Sequence, residues 1–223
     1  IEGDEDDALE EEEEVAGEII EGVLDGLEDE QIDLPLSFDY GQKQRSELES
    51  SIAIAKKSNV IEHRIMKISL NDIGGSALTD KDISVPKFSD SDDIPITYVP
   101  ARNTIFLSFA LAWAEVVDCQ TIFIGVNALD YSGYPDCRRS FFDSFEEVIK
   151  HGTKPETRIQ IVTPLINLTK KEIIELGVTL NAPLHLTWSC YQNNDKPCMV
   201  CDSCALRKRG FDKANIKDPI LEY

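Results

Sequence analysis

From Leu34 onward, short apolar segments of strand character alternate with longer segments of helical character. Strands are predicted at 36–40, 60–70, 121–126 and 158–163, and helices at 44–57, 103–118, 141–151 and from 169 onward. Parallel strands need long crossover connections, and helical crossovers cover the faces of the sheet. The alternation therefore predicts an α/β fold in which helices cover both faces of a parallel sheet.

Two segments add detail to this pattern. Thr169 and Glu172 have the spacing of a capping box, and Gly177 is predicted to end the helix that this box begins. Residues 71–98 are polar and rich in turn formers, which predicts a functional loop rather than core. Within it, Gly74-Gly75-Ser76 resembles a phosphate cradle, but no typical strand precedes it and no lysine follows at the required spacing, so we interpret it as a flexible loop.

Charge is distributed very unevenly along the chain. Residues 1–35 contain 17 acids and no Lys or Arg, whereas the other 25 acids and all 22 bases follow, a net charge of −3 there. The acidic segment would repel nucleic acid and anionic lipid. We expect an acidic segment 1–35, an α/β domain 36–184 and a small cysteine-rich module 185–223. Apolar residues at every fourth position from Val15 to Leu27 predict an amphipathic helix in the first part.

The cysteines carry the clearest chemical signal. No stretch approaches the roughly 18 apolar residues of a membrane span, and an acidic N-terminal segment is unlike a secretory signal. We therefore expect a cytoplasmic protein, in which clustered cysteines more often bind metal than form disulfides. Cys190, Cys198, Cys201 and Cys204 have spacing that suits one tetrahedral zinc ion. Four thiolates leave no position for an activated water, so the site is expected to be structural; an iron–sulfur cluster, disulfides or free thiols are the alternatives.

The two remaining cysteines lie outside this set. Cys119 ends an apolar helix and is interpreted as a small buried apolar residue. Cys137 lies in a polar turn beyond the carboxyl end of a strand, where ligands bind in open parallel sheets. A reactive role for Cys137 is therefore the hypothesis that competes with a structural one.

Three loops at predicted strand ends concentrate Asp, Arg, Asn and Tyr, which suits a flat polar ligand that carries a phosphate. They are 38–42, 98–103 and 125–136. Arg102 could bind a carboxylate or phosphate through its planar guanidinium, and Asp130 and Asp136 could accept from ring nitrogens or hold a cation. The alternative is that these residues form turns and cap helices, above all Asn103 and Asp136.

Taken together, five motifs resemble those of the 7-cyano-7-deazaguanine synthase family, which forms preQ0 in queuosine biosynthesis. They cover residues 36 to about 220 and are the four-cysteine cluster and the segments Ser37-Phe-Asp-Tyr-Gly-Gln42, Gly75-Ser-Ala-Leu-Thr-Asp80, Tyr98-Val-Pro-Ala-Arg-Asn103 and Asp130-Tyr-Ser-Gly-Tyr-Pro-Asp-Cys-Arg138. The resemblance implies an adenine-nucleotide α-hydrolase-like (Rossmann-like) fold with a five-stranded parallel sheet and a small C-terminal zinc module. It also implies a homodimer.

The resemblance implies a carbon–nitrogen ligase. Family members convert 7-carboxy-7-deazaguanine and ammonia to the nitrile, with two ATP (with magnesium) that adenylate first the acid and then the amide. The implied substrate-binding residues are Arg102, Asn103, Asp130, Tyr134, Asp136 and Arg138. The implied nucleotide-binding residues are Phe38, Asp39, Tyr40, Gly41 and Gln42, and the zinc ligands are the four clustered cysteines. No residue is assigned to the chemical step.

One departure from the family pattern stands out. Family members begin with a hydrophobic strand and a Ser-Gly-Gly-x-Asp-Ser loop whose backbone N–H groups hold pyrophosphate, whereas residues 1–35 present Asp and Glu instead. The first hypothesis is the ATP-dependent ligase, and the second is a catalytically impaired zinc protein that binds deazapurines. A zinc-ribbon nucleic-acid module, suggested by Arg207-Lys208-Arg209, and a tRNA-thiolating enzyme of the pyrophosphate-loop type are the other two.

Overall fold

A computed structural model describes residues 34–89, 93–127 and 133–221, which belong to one compact unit. The strands are β1 (Leu36–Asp39), β2 (Arg64–Lys67), β3 (Thr121–Phe123) and β4 (Gln160–Val162). The helices are α1 (Ser46–Lys57), α2 (Arg102–Val117), α3 (Arg139–Gly152), α4 (Lys170–Thr179) and α5 (Asp202–Lys213). Strands and helices alternate up to α4, which confirms the α/β class.

The four strands form two parallel pairs. In the first, Phe38 of β1 is in register with Met66 of β2, and in the second, Ile122 of β3 is in register with Ile161 of β4. Parallel pairing was predicted, but the five-stranded sheet implied by the resemblance is not what the described residues form. They contain two separate two-stranded sheets.

Helix α2 packs against both strand pairs. Its sequence is apolar on nearly every side, as expected of a helix surrounded by core. The ring of Phe106 stacks on Phe38 of β1, with centroids 4.0 Å apart. Leu107 and Leu111 belong to the buried cluster that also contains Ile161 of β4. The carboxyl ends of β1 and β3 therefore lie near one helix. The first residues of that helix belong to the segment 98–103.

Several predicted boundaries were wrong. The predicted strand 60–70 is reduced to Arg64–Lys67, and the predicted strand 121–126 ends at Phe123. Gly177 lies inside α4 and does not end it. A Cβ atom at this glycine would lie 3.2 Å from Leu184 Cδ2, so a close approach of the following chain accounts for the residue.

The segment 71–98 was also misjudged as lying outside the core. Ser76, Ala77, Leu78 and Thr79 are all buried. Their backbone groups find partners without a sheet, since the Ala77 N–H donates to the Ile96 carbonyl at 2.8 Å and the Lys43 N–H donates to the Leu78 carbonyl at 3.0 Å. Such bonds allow an irregular segment to be buried.

Some predictions fall outside the described residues. The amphipathic helix expected at 15–27, and the acidic segment as a whole, lie there. The three-part division of the chain and the cytoplasmic location stay predictions. Among the helices of the described ranges, none is long and apolar enough to cross a bilayer.

Candidate metal centre and strand-end pocket

The four clustered cysteines converge on one point. The Sγ atoms of Cys190, Cys198, Cys201 and Cys204 all lie within 4.8 Å of one another, and those of Cys198 and Cys204 are 3.9 Å apart. Four sulfurs around a tetrahedral zinc ion, with bonds of about 2.3 Å, would be about 3.8 Å apart. The four predicted ligands therefore lie close enough together to share a single metal ion.

Backbone N–H groups surround two of these sulfurs. Cys190 Sγ accepts from the N–H groups of Gln192, Asn193 and Cys198 at 3.3–3.4 Å. Cys198 Sγ accepts from Val200 and Cys201 at 3.5 and 3.3 Å. Such donors favour the thiolate, which is the form that binds metal.

The surroundings of the sulfurs shift the pKa values of the cysteines in both directions. Burial opposes ionisation of Cys198, but the two N–H donors prevail and lower its pKa to about 7. Burial raises the pKa of Cys201 and Cys204. A cation at the centre would stabilise the thiolate forms and so offset the cost of burying them. The four cysteines could therefore hold one metal ion.

The cysteine-rich segment is hydrogen-bonded to the start of α1 and to the segment 71–98. Asn194 Oδ1 accepts from the N–H groups of Arg45 and Ser46 at 2.9 and 3.3 Å, at the start of α1. The Phe88 N–H donates to the Val200 carbonyl at 2.8 Å. The metal centre thus contacts both the α1 terminus and the segment 71–98.

A cluster of phenols surrounds Arg102 beside the end of β1. Tyr40, Tyr134 and Tyr191 line this region, and the Arg102 guanidinium lies over the Tyr40 ring, 5.9 Å from its centroid. Tyr134 is hydrogen-bonded to Thr97 Oγ1 at 2.9 Å. The cluster brings together residues from four separate parts of the sequence, and we call it the strand-end pocket.

Arg102 supplies the positive charge of this pocket. Burial would lower its pKa, but Tyr40 and Tyr191 outweigh that effect and the pKa is raised, so the guanidinium stays charged. Burial raises the pKa of Glu47 of α1, whose charge also acts on Arg102. No carboxylate of the described ranges lies within 4.0 Å of the Arg102 guanidinium. A half-buried cation without a salt bridge to the described residues is suited to an anionic ligand.

Asn103 and Asp136 pair with each other. Asp136 Oδ2 accepts from the Asn103 backbone N–H at 3.0 Å, and Asn103 Nδ2 donates to the Asp136 carbonyl at 2.9 Å. Asp136 therefore caps the first turn of α2, where N–H groups lack intrahelical partners. This is the capping role that the sequence left as the alternative, and a role in substrate binding stays a prediction.

Cys137 is buried next to this pair. Asn103 Nδ2 lies 3.4 Å from its Sγ atom, and burial, followed by the charge of Asp136, raises the pKa of the thiol. Both effects favour the thiol over the thiolate, which supports a packing role. Cys119 is half-buried at the end of α2.

The predicted nucleotide segment forms a tight turn. Gln42 accepts from the Tyr40 N–H at 2.8 Å and donates to the Phe38 carbonyl at 3.1 Å, which closes the loop on itself. Gly41 has φ +79°, and a Cβ atom there would lie 2.0 Å from Asn71 Oδ1. Asp39 pairs with Arg45 at 3.3 Å. The segment stands at the end of β1 as predicted, and its contact with nucleotide stays a prediction.

The other predicted substrate residues are not all gathered in the pocket. Arg102 and Tyr134 are in it, whereas Arg138 is exposed just before α3. Asp130 lies outside the described residues. Sequence reasoning missed Glu47, Thr97 and Tyr191. Tyr191 had one usable signal, its position next to the ligand Cys190, but nothing in the spacing of Glu47 or Thr97 marks them.

Comparison with known proteins identifies the family of the chain. A family model described as queuosine biosynthesis protein QueC matches residues 28–215. A 7-cyano-7-deazaguanine synthase of Acetivibrio thermocellus is 56% identical over 192 residues, which are 85% of each chain. That of Ruthia magnifica is 57% identical over 82% of each chain, and that of Nostoc punctiforme is 51% identical over 83% of this chain and 86% of the relative. The resemblance stated from the motifs is confirmed, and the chain belongs to the queuosine biosynthesis protein QueC family.

Proposed function

We propose that this chain converts 7-carboxy-7-deazaguanine and ammonia to 7-cyano-7-deazaguanine with ATP as the activating co-substrate. One observation carries the proposal. Relatives named for this product are more than half identical to the chain over more than four fifths of its length, and the family model spans residues 28–215, which include the strand-end pocket and the four clustered cysteines.

The chemistry of the proposed reaction explains why a cation is needed in the pocket. A carboxylate is a poor electrophile, so its oxygen first attacks the α-phosphorus of ATP and releases pyrophosphate. Ammonia then displaces AMP to give the amide, and a second adenylation turns the amide oxygen into a leaving group whose departure with the remaining amide protons forms the nitrile. Arg102 would bind the substrate carboxylate and the negative charge of the adenylated intermediates.

The remaining assignments follow the same pattern. Tyr134, Asn103, Asp136, Arg138 and Asp130 would bind the polar edges of the deazaguanine, and residues 38–42 would lie beside the nucleotide and its magnesium ion. The four cysteines would hold zinc as a structural cross-link, since a complete set of thiolates leaves no open position for catalysis. No residue is proposed for proton transfer.

Homodimer formation is proposed on a separate observation. Phe109 and Val116 of α2 are exposed, although the helix is apolar on nearly every side. They are seven residues apart and share one face of the helix with Ala112. Sedimentation at micromolar concentration should give twice the mass of the chain.

A second candidate function rests on a specific sequence feature. The chain contains no Ser-Gly-Gly-x-Asp-Ser segment, and residues 1–35 carry 17 acids. Carboxylates facing ATP phosphates would repel them by about 1–4 kcal/mol per pair at 4 Å, from water-like to partly buried surroundings. The second candidate is therefore a deazapurine-binding member of the family that does not adenylate.

Two measurements separate these candidates. The purified chain is incubated with 7-carboxy-7-deazaguanine, ammonium and Mg-ATP, and the nitrile and AMP are quantified by mass spectrometry. Calorimetry then measures binding of the acid with and without Mg-ATP. Nitrile formation supports the ligase, binding of the acid without turnover supports the second candidate, and absence of binding contradicts both. Arg102→Leu is the matched variant, and it should abolish binding of the acid in either case.

A further inference from the structure

The turn before α2 holds an alanine in a conformation that favours glycine. Ala101 has φ +53° and ψ +25°, in the left-handed region, where the Cβ atom of an L-residue crowds a carbonyl oxygen. The Arg102 N–H donates to the Val99 carbonyl at 3.1 Å and closes a four-residue turn. Pro100 in the second position and a positive φ in the third are the pattern of a type II turn, whose third residue is usually glycine. The backbone is therefore strained immediately before Arg102.

Hydrogen bonds on both sides of Ala101 hold this conformation. The Ala101 carbonyl accepts from the Ile105 N–H at 3.1 Å, which is a bond of the helical kind. The Ala101 N–H donates to the Tyr98 hydroxyl at 3.0 Å. Strained backbone persists where its surroundings hold it in place. The Tyr98 hydroxyl is thus a side-chain group that stabilises the strained turn.

Tyr98 is itself held at the strand-end pocket. Its N–H donates to the Pro95 carbonyl at 2.9 Å, and its ring stacks on the ring of Tyr134, with centroids 5.8 Å apart. Tyr134 is in turn hydrogen-bonded to Thr97, the residue before Tyr98, at 2.9 Å. The Tyr98 ring therefore has a defined position beside the pocket, from which its hydroxyl reaches the turn.

The turn also determines the position of Arg102. Arg102 is the first residue of α2, and its guanidinium lies 5.9 Å from the centre of the Tyr40 ring and 5.8 Å from that of Phe106. Its N–H is bonded within the turn, because the first N–H groups of a helix have no partner inside the helix. The next residue, Asn103, is fixed separately by Asp136 at 3.0 Å. Release of the turn should therefore free Arg102 and leave the rest of α2 in place.

We propose that Tyr98 is a positioning residue for Arg102. Its hydroxyl holds Ala101 in the left-handed conformation, and the resulting turn keeps the Arg102 guanidinium over the two rings beside the strand-end pocket. The turn depends on this hydroxyl because residue 101 is alanine, whereas glycine would adopt the same conformation without strain. The effect on ligand binding rests on the proposed function, and the effect on the turn does not.

The turn is tested first without any ligand. In protein labelled with ¹⁵N-arginine, the Arg102 Nε–H signal is assigned by its loss in Arg102→Leu, and its chemical shift reports the two nearby rings. Tyr98→Phe removes the hydroxyl and keeps the ring, so the signal should move toward that of an exposed arginine. Addition of Ala101→Gly should return it at least half-way to the wild-type position, because glycine restores the turn unaided. Ala101 is exposed, so this second change creates no cavity.

Affinity for 7-carboxy-7-deazaguanine is then measured by calorimetry for the same variants. Tyr98→Phe should weaken binding about two- to ten-fold, the effect of one lost neutral hydrogen bond. The double variant with Ala101→Gly should recover most of this loss. A Tyr98 hydroxyl that contacts the ligand directly would instead give a loss that Ala101→Gly does not restore, and that result would overturn the positioning role in binding.

Asn59→Gly is the matched control. Asn59 also has a positive φ, +54°, but it is exposed two residues beyond the end of α1. Its replacement relieves the same kind of strain and should not restore Tyr98→Phe. An Arg102 signal that stays in place in Tyr98→Phe, that Ala101→Gly does not return, or that Asn59→Gly returns equally well would overturn the proposal. If the wild type binds no acid, the proposed function fails and the spectra still decide the role of Tyr98.

Discussion

The metal centre and the strand-end pocket are built in opposite ways. The four cysteines of the candidate metal centre come from 15 consecutive residues, 190–204, and the sulfurs of Cys190 and Cys198 accept from backbone N–H groups of the same stretch. The pocket draws on residues from Tyr40 to Tyr191, each positioned by a different element. The first site would hold a single metal ion, whereas the second depends on the packing of the whole unit. Loss of one cysteine should therefore abolish metal binding at the first site, whereas single substitutions should weaken ligand binding at the second site only in part.

The largest effect is expected from Cys201→Ser. Cys201 is fully buried among the other sulfurs, so a hydroxyl there removes a thiolate ligand and leaves a poorly matched polar group. Zinc content should fall from one equivalent to near zero. Stability should drop by about 4 kcal/mol or more, since loss of a metal is among the few single changes that cost this much. Metal analysis and thermal unfolding measure both quantities.

Cys119→Ser is the matched control for that variant. Cys119 is half-buried and lies outside the cluster. Its replacement should leave zinc content unchanged and should cost less than about 1.5 kcal/mol. Retention of zinc by Cys201→Ser would show that the quartet is not the metal site.

The next effect concerns the ion pair that anchors α5, the helix of the ligand Cys204. Arg207 donates to both oxygens of Asp218 at 2.7 and 2.8 Å, and the two side chains are 14% and 6% exposed. Asp218→Ala should cost about 3–5 kcal/mol, because it leaves a buried guanidinium unpaired. Urea denaturation measures this loss. The exposed pair of Arg139 and Asp143 is the control, and Asp143→Ala should cost about 1 kcal/mol or less.

These two sites also differ in what the sequence could predict. The cysteine spacing predicted the four cysteines whose sulfurs converge, because they lie within one short stretch. The strand-end rule located Arg102 and Tyr134, since parallel strands place their carboxyl ends together. Glu47 and Thr97 were missed, because their contribution depends on the packing of α1 and of an irregular buried segment. The order of helices and strands was predictable from apolar periodicity. The burial of residues 76–79 was not, because the sequence of a polar segment does not show which backbone hydrogen bonds will stabilise it in the core.

A smaller effect is expected in the turn that closes the pocket beside β1. Gly41→Ala combines a positive φ with a Cβ contact of 2.0 Å to Asn71, and should cost about 2–4 kcal/mol. Gly75 has the same φ of +79°, but the nearest atom to a Cβ there would be 4.0 Å away. Gly75→Ala should therefore cost only about 1 kcal/mol. Chemical denaturation of the two variants separates steric overlap from backbone strain, and equal losses would contradict the steric part.

The smallest effect decides the role of Asp136. Asp136→Asn keeps an oxygen that can accept from the Asn103 N–H but removes the charge at the start of α2, so stability should fall by about 0.5–1 kcal/mol. Thermal unfolding measures this change, and calorimetry measures the affinity for 7-carboxy-7-deazaguanine in the same variant. If Asp136 acts only as a cap, affinity should change less than about two-fold, because the pocket wall keeps its shape. A ten-fold or greater loss of affinity at this small cost in stability would instead show that the carboxylate contacts the ligand, as the family resemblance implies. Asp136 would then bind the ligand directly, as the cysteines are expected to bind the metal ion.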